Sequence, residues 1–179
     1  MKRILTGLAA GFLALILAPT AQAQPSTLFA EFQAICIANH QDMTASEKVA
    51  RARQYEPLPP DPRVVVGLSK TEGENYFVYG LQKQDVPAVK PTALQLCVIG
   101  NTKVTAADHQ ALALWASVPI LTGEGDLKYM FRVENGRKIP VSASDAGLIP
   151  ALDLGPVYVV NVRVSATSAS FTLGEVKLK

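Results

Sequence analysis

The chain has 179 residues, of which 49% are hydrophobic and 18% charged, with a formal net charge of +2. It is too apolar for a disordered chain. Lys2 and Arg3 supply the whole charge excess, so from Gln24 onward acids and bases cancel and nothing draws the protein broadly to nucleic acid or anionic lipid.

The first element is a leader. "MKRILTGLAAGFLALILAPTAQAQ" opens with two bases, runs apolar from Ile4 to Ala18 and is broken by Pro19. Ala21 and Ala23 are the small residues that signal peptidase accepts, with cleavage before Gln24. The apolar run falls short of the roughly 20 residues that a spanning helix needs. No cysteine follows it to carry a lipid, and Lys2-Arg3 is not a twin-arginine pair. The reading is a secretory signal over 1–23, a single α+β domain over 24–179 in the periplasm or outside the cell, and no stable membrane span in the mature chain.

Two helices come next. Ser26 is placed to cap a helix from Thr27 to Asn39, in which Leu28, Phe29, Phe32, Ile35 and Cys36 form one apolar stripe. "TASE" supplies Thr44 as N-cap and Glu47 as its capping-box partner for a helix to Tyr55, with Val49 and Ala52 inward. "EPLPPDPR" carries four prolines in eight residues and reads as an extended connector.

The middle of the chain reads as strand. Segments 63–69 and 75–82 flank "KTEGE" as a hairpin, and 92–100, apolar on both faces, reads as a central, covered strand. Thr105 and Asp108 form a capping box for a third helix through Ser117. Beyond it, Asn135-Gly136 marks a two-residue hairpin turn, 145–156 reads as a long irregular loop, and 157–165 and 170–179 read as paired strands. The apolar residues of the last strand change phase at Gly174, where a bulge is expected to restore the register. The expected fold is an N-terminal helix pair packed on a mainly antiparallel sheet of about six to seven strands, with one further helix.

Cys36 and Cys97 are the only cysteines. An even count in an exported chain reads as one disulfide, which here closes a loop of about 62 residues worth roughly 4 kcal/mol. The competing readings use His40, one helical turn from Cys36. A thiol nucleophile with His40 as base is disfavoured by the apolar surroundings of Cys36, and no Cys-x-x-Cys pair exists. A Cys₂His₂ metal site would have to recruit Cys97 and His109, at a spacing that matches no compact pattern. Both histidines read as solvated, with His40 favouring its helix end.

Serine-hydrolase and phosphate-loop motifs are absent from the sequence. Glu124, Asp126, Asp145 and Asp153 are nominal acids for glycoside chemistry, more simply solvated loop residues. Lys48, Arg51, Arg53 and Arg63 form a basic cluster, diluted by Glu47, Glu56 and Asp61 into a mixed charged surface. No catalytic, cofactor or metal residue is assigned. The expected function is non-enzymatic: a periplasmic binding or envelope-accessory protein whose partner is a small ligand or another envelope protein. A small hydrolase using dispersed acids or His40 is the alternative. A third reading is a subunit of an envelope assembly, contacting it through the last strand or 145–156.

Mass spectrometry of the exported protein should give a chain beginning at Gln24. A chain beginning at Met1 and fractionating with membranes would contradict the signal.

Overall fold

The computed structural model describes residues 27–40, 42, 44–87, 91–122 and 127–178. The expected leader over 1–23, with Ala21 and Ala23, and the expected first mature residue Gln24 lie outside them. Four helices are described: α1 (Leu28–Phe32), continuing into a π-helical turn at Gln33–Ile37, α2 (Ala45–Ala52), α3 (Ala106–Ala116) and α4 (Asp145–Asp153). The strands are β1 (Glu56–Pro57), β2 (Val66–Glu72), β3 (Asn75–Pro87), β4 (Pro91–Asn101), β5 (Leu121–Thr122), β6 (Leu127–Glu134), β7 (Arg137–Pro140), β8 (Val157–Val164) and β9 (Ala169–Leu178). They form one sheet in the order β1-β2-β3-β4-β9-β8-β6-β5, with β7 also paired to β6. Every pairing is antiparallel.

The class is therefore α+β with an antiparallel sheet, but the layout differs from the sequence expectation. Nine strands are described rather than six or seven. Two helices, not one, follow the N-terminal pair. The second is α4, where an irregular loop was expected. Gly147 and Pro150 suggest a loop, yet each has a place in the helix. A Cβ at 147 would lie 2.6 Å from that of Ser142, so a close approach requires glycine there. Pro150 costs one internal hydrogen bond and leaves Leu148 and Leu152 free to pack.

The sheet has two unequal faces. Phe77, Tyr79 and Leu81, Cys97 and Ile99, Val160 and Val162, and Phe171 and Leu173 alternate onto one face and are at most 2% exposed. The first three helices cover it. Phe32 meets Phe171 edge-to-face at 5.6 Å, Ser46 Oγ is 2.7 Å from the Tyr79 hydroxyl, and Trp115 meets Phe131 at 5.8 Å. The other face carries a smaller core in which α4 covers Met130 and Val157, with Val159, Val176 and Leu178 beside them.

This explains the phase change in β9. No bulge occurs at Gly174: the register runs unbroken from Leu173 opposite Cys97, through Gly174 opposite Leu96, to Glu175 opposite Gln95. Phe171 and Leu173 serve the first core, Val176 and Leu178 the second. Glu175 stays on the first face, 3% exposed, against the Tyr158 hydroxyl at 3.3 Å and Lys177 Nζ at 2.8 Å.

The helix caps differ from expectation at two of three sites. Thr27, not Ser26, caps α1, its Oγ1 accepting from the Ala30 amide at 3.1 Å. Thr44 caps nothing with its side chain: its backbone is already helical, at φ −71° and ψ −27°, and its hydroxyl donates to Asp42, while Glu47 pairs with Arg51. Ala50 rather than Ala52 turns inward. At α3 the capping box of Thr105 and Asp108 forms as expected. Asp108 also accepts the Phe29 amide at 2.9 Å, which joins α1 to α3. Burial pushes its carboxyl up, but the Phe29 amide and the Thr105 hydroxyl and amide outweigh this and hold it below its ordinary value. The Asn135-Gly136 turn has φ of 50° and 75°, as its hairpin requires.

The sulfurs of Cys36 and Cys97 are 2.01 Å apart, at disulfide distance, and tie the π turn to β4 across 61 residues. Cys36→Ser should lower the melting temperature under oxidising conditions, corresponding to about 4 kcal/mol, and leave it unchanged in reductant. Equal melting of both forms without reductant would show that the bridge contributes no stability.

Candidate functional site

Glu31 turns inward from α1 and is 0% exposed. An ionised carboxylate is tolerated there only if paired and hydrogen-bonded. Arg53, just past α2, donates from Nε at 3.0 Å and Nη2 at 2.6 Å. Lys70 of β2 donates at 2.9 Å and the Tyr55 hydroxyl at 3.1 Å. Lys70 also pairs with Glu72 at 2.9 Å, so two cations face two carboxylates. Burial and the neighbouring Glu31 charge push the Tyr55 phenol far up, keeping it a donor. Three segments distant in sequence are thus fixed around one acid.

Tyr55 leads straight into β1, which pairs with β2 through Glu56–Ser69 and Pro57–Leu68. The Leu58 amide extends this by donating to the Gly67 carbonyl at 3.0 Å. The connector then arches and returns where Val65 donates to Leu81 at 2.7 Å. Its prolines lack N–H groups, so no further strand can pair easily along that edge.

Between this arch and the face not covered by the first three helices lies a groove of about 920 Å³. Gly67, Val78, Gly80, Val98 and Gly100 form its floor; Leu58, Val64 and the prolines form one wall. Gly67 and Gly80 pair directly, Gly80 pairs with Val98, and Val78 with Gly100, so the low surface runs across three strands. A Cβ at Gly80 would have nothing nearer than 3.9 Å, and one at Gly100 nothing nearer than 3.6 Å. These are ordinary van der Waals contacts: Val64 of the wall lies 3.9 Å from where a Cβ at Gly80 would stand, and Leu58 lies 3.7 Å from where a Cβ at Gly67 would stand. Val65 and Tyr76, 59% and 41% exposed, present apolar surface at the mouth.

The rim charges are neutralised in place. Glu47 meets Arg51 at 2.9 Å. Asp61 meets Arg63 at 2.8 Å, and that guanidinium holds its carboxyl down to about 2. Uncharged polar groups gather at the β9 end, where Thr102, Ser168 and Ser170 line the groove.

The residues singled out in the sequence fall elsewhere. Cys36 and Cys97 are joined, which leaves no thiol for catalysis or metal. His40 is half-buried rather than solvated. Its ring lies 5.4 Å from that of Tyr158, and Nδ1 is 2.8 Å from the Ile37 carbonyl at the end of the π turn. Burial and the Glu175 charge push the Tyr158 phenol up to about 12. His109 is also half-buried, edge-on to Phe171 at 6.1 Å. Glu124, Asp126 and the side chain of Asp145 lie outside the described residues; Asp153 is exposed on α4. Of the basic cluster, Arg51 and Arg63 have local carboxylate partners, and Arg53 belongs to Glu31. Among the described residues, no three His, Cys, Asp or Glu gather to hold a metal, and no helix is long and apolar enough to cross a membrane.

Lys138 pins the β6–β7 hairpin to α3. Its ammonium lies 3.7 Å from the Trp115 ring centroid and donates to the Trp115 carbonyl, while burial pulls the amine down to about 8.

Comparison with protein-family models, curated proteins and solved structures gives no match to this chain.

Sequence reading did not find the groove. The signal was present in Gly67, Gly80 and Gly100, isolated glycines inside β-branched strands, a pattern that marks close approach to a backbone.

Glu31→Gln should destabilise the protein by about 3 kcal/mol in urea unfolding, since it leaves Arg53 and Lys70 without their buried counter-charge. A change below about 0.5 kcal/mol, the range of ordinary surface substitutions, would show that the ion cluster is not needed.

Proposed function

We propose that the chain is an exported, non-enzymatic binding or envelope-accessory protein, and that its ligand lies in the groove beneath the 57–65 connector. The observation carrying this reading is the groove. Its volume of about 920 Å³ lies at the upper end of the range for small-molecule sites, and its lining is mostly apolar with a few convergent polar groups. The expected leader and the disulfide-distance cysteines support an oxidising compartment.

A small hydrolase built on His40 is the second reading. It is supported by the fixed ring: with Nδ1–H donating to the Ile37 carbonyl, Nε2 is the nitrogen left to accept a proton, and the ring packs edge-on to Tyr158, whose hydroxyl donates to Glu175.

The two readings separate in one experiment. Mature protein is screened for ligand-dependent thermal shifts and for hydrolysis of ester, amide and glycoside substrates. The binding reading expects shifts that Val78→Asp, which places a charge on the groove floor, abolishes and His40→Ala preserves. Hydrolysis lost in His40→Ala and retained in Val78→Asp would overturn it in favour of the enzyme.

A further inference from the structure

We infer that the groove takes a single acyl chain with an uncharged, hydrogen-bonding head. This rests on the groove being the ligand site.

The first ground is what the floor offers. β3 and β4 are paired along both edges, so their N–H and C=O groups are used within the sheet. A peptide lying across them would bury its own amides against glycine and valine with few partners, at a cost of several kcal/mol per group in an apolar setting. An acyl chain has no such groups. The second ground is direction. The low surface crosses β2, β3 and β4 and reaches Ser170 on β9, which pairs with Gly100. Three strand spacings of ~4.8 Å make a path of about 14 Å across the strands, suited to a medium-length chain. Peptides that pair with sheets do so along an edge, and this path does not.

The third ground is charge. Glu47 and Asp61 on the rim each have a guanidinium partner, Arg51 and Arg63. A charged head at that rim meets no net charge of opposite sign. At the β9 end stand the hydroxyls of Thr102, Ser168 and Ser170; Thr102 donates to Asn101 Oδ1 and Ser168 shares a bond with Ser165, and their remaining lone pairs can accept from the O–H or N–H of a neutral polyol or amide head. Apolar tail over glycine and valine, neutral head against hydroxyls, is the arrangement that leaves no group unmatched.

The test is calorimetric titration of mature, oxidised protein with 1-monolauroylglycerol below its micelle concentration. Parallel titrations use dodecanoate, dodecyltrimethylammonium and an end-blocked Val-Ala peptide. Monolauroylglycerol is expected to bind at least tenfold more tightly than either charged analogue, and the peptide not at all. Gly80→Leu fills the floor and should weaken binding at least tenfold while melting cooperatively; Gly100→Val replaces it if it does not fold. Tighter binding of a charged analogue overturns the neutral head. Peptide binding that Gly80→Leu abolishes, without acyl binding, overturns this inference and leaves the groove as a ligand site. A dimer in sedimentation that Gly80→Leu dissociates would make a second copy the occupant and overturn it as well. No binding by any probe, with no effect of either glycine variant, removes both the inference and the groove reading.

Discussion

A buried carboxylate organises this protein. Glu31 has no exposed surface, and its charge is met by Arg53 after α2, Tyr55 before β1 and Lys70 on β2. The desolvation cost of such a group is offset only when its partners are held in place, so the same contacts that satisfy the acid also fix the chain around it. Through Tyr55 they set where β1 begins, and through β1 where the proline connector leaves the sheet. The groove wall is downstream of Glu31.

The second constraint is coverage. A nine-stranded sheet with apolar residues on both sides needs both sides buried. The first three helices and the Cys36–Cys97 link close one face. On the other, α4 is nine residues long and covers only the part built from β6, β8 and β9. Glycines at 67, 80 and 100 reduce the apolar side-chain surface of the remainder, and the connector arches over it. What remains is a trough with a wall rather than a flat exposed patch.

Much of the architecture was legible because it is written in local signals. Asn135-Gly136 dictated its turn, Thr105 and Asp108 their cap, and the two-sided apolar run at 92–100 its central place. What failed depended on tertiary contact. Gly147 and Pro150 read as loop residues until Ser142 is seen against Gly147 and Leu152 in the second core. The phase change at Gly174 read as a bulge because one core was assumed; with two cores on opposite faces the strand runs straight. Glu31 carries no local signal of its burial because its partners are 22 to 39 residues away. The groove was hidden for the same reason, its floor and wall belonging to separate segments.

Backbone hydrogen exchange on the protein tests most directly whether that wall is a built feature. The Leu58 and Val65 amides donate to Gly67 and Leu81 at either end of the connector. A wall fixed through Glu31 gives both amides protection comparable to β2, and Glu31→Gln removes it at Leu58 before the β3–β4 core opens. Exchange at Leu58 and Val65 as fast as at an exposed loop would contradict it, leaving a mobile strand edge where a groove is described.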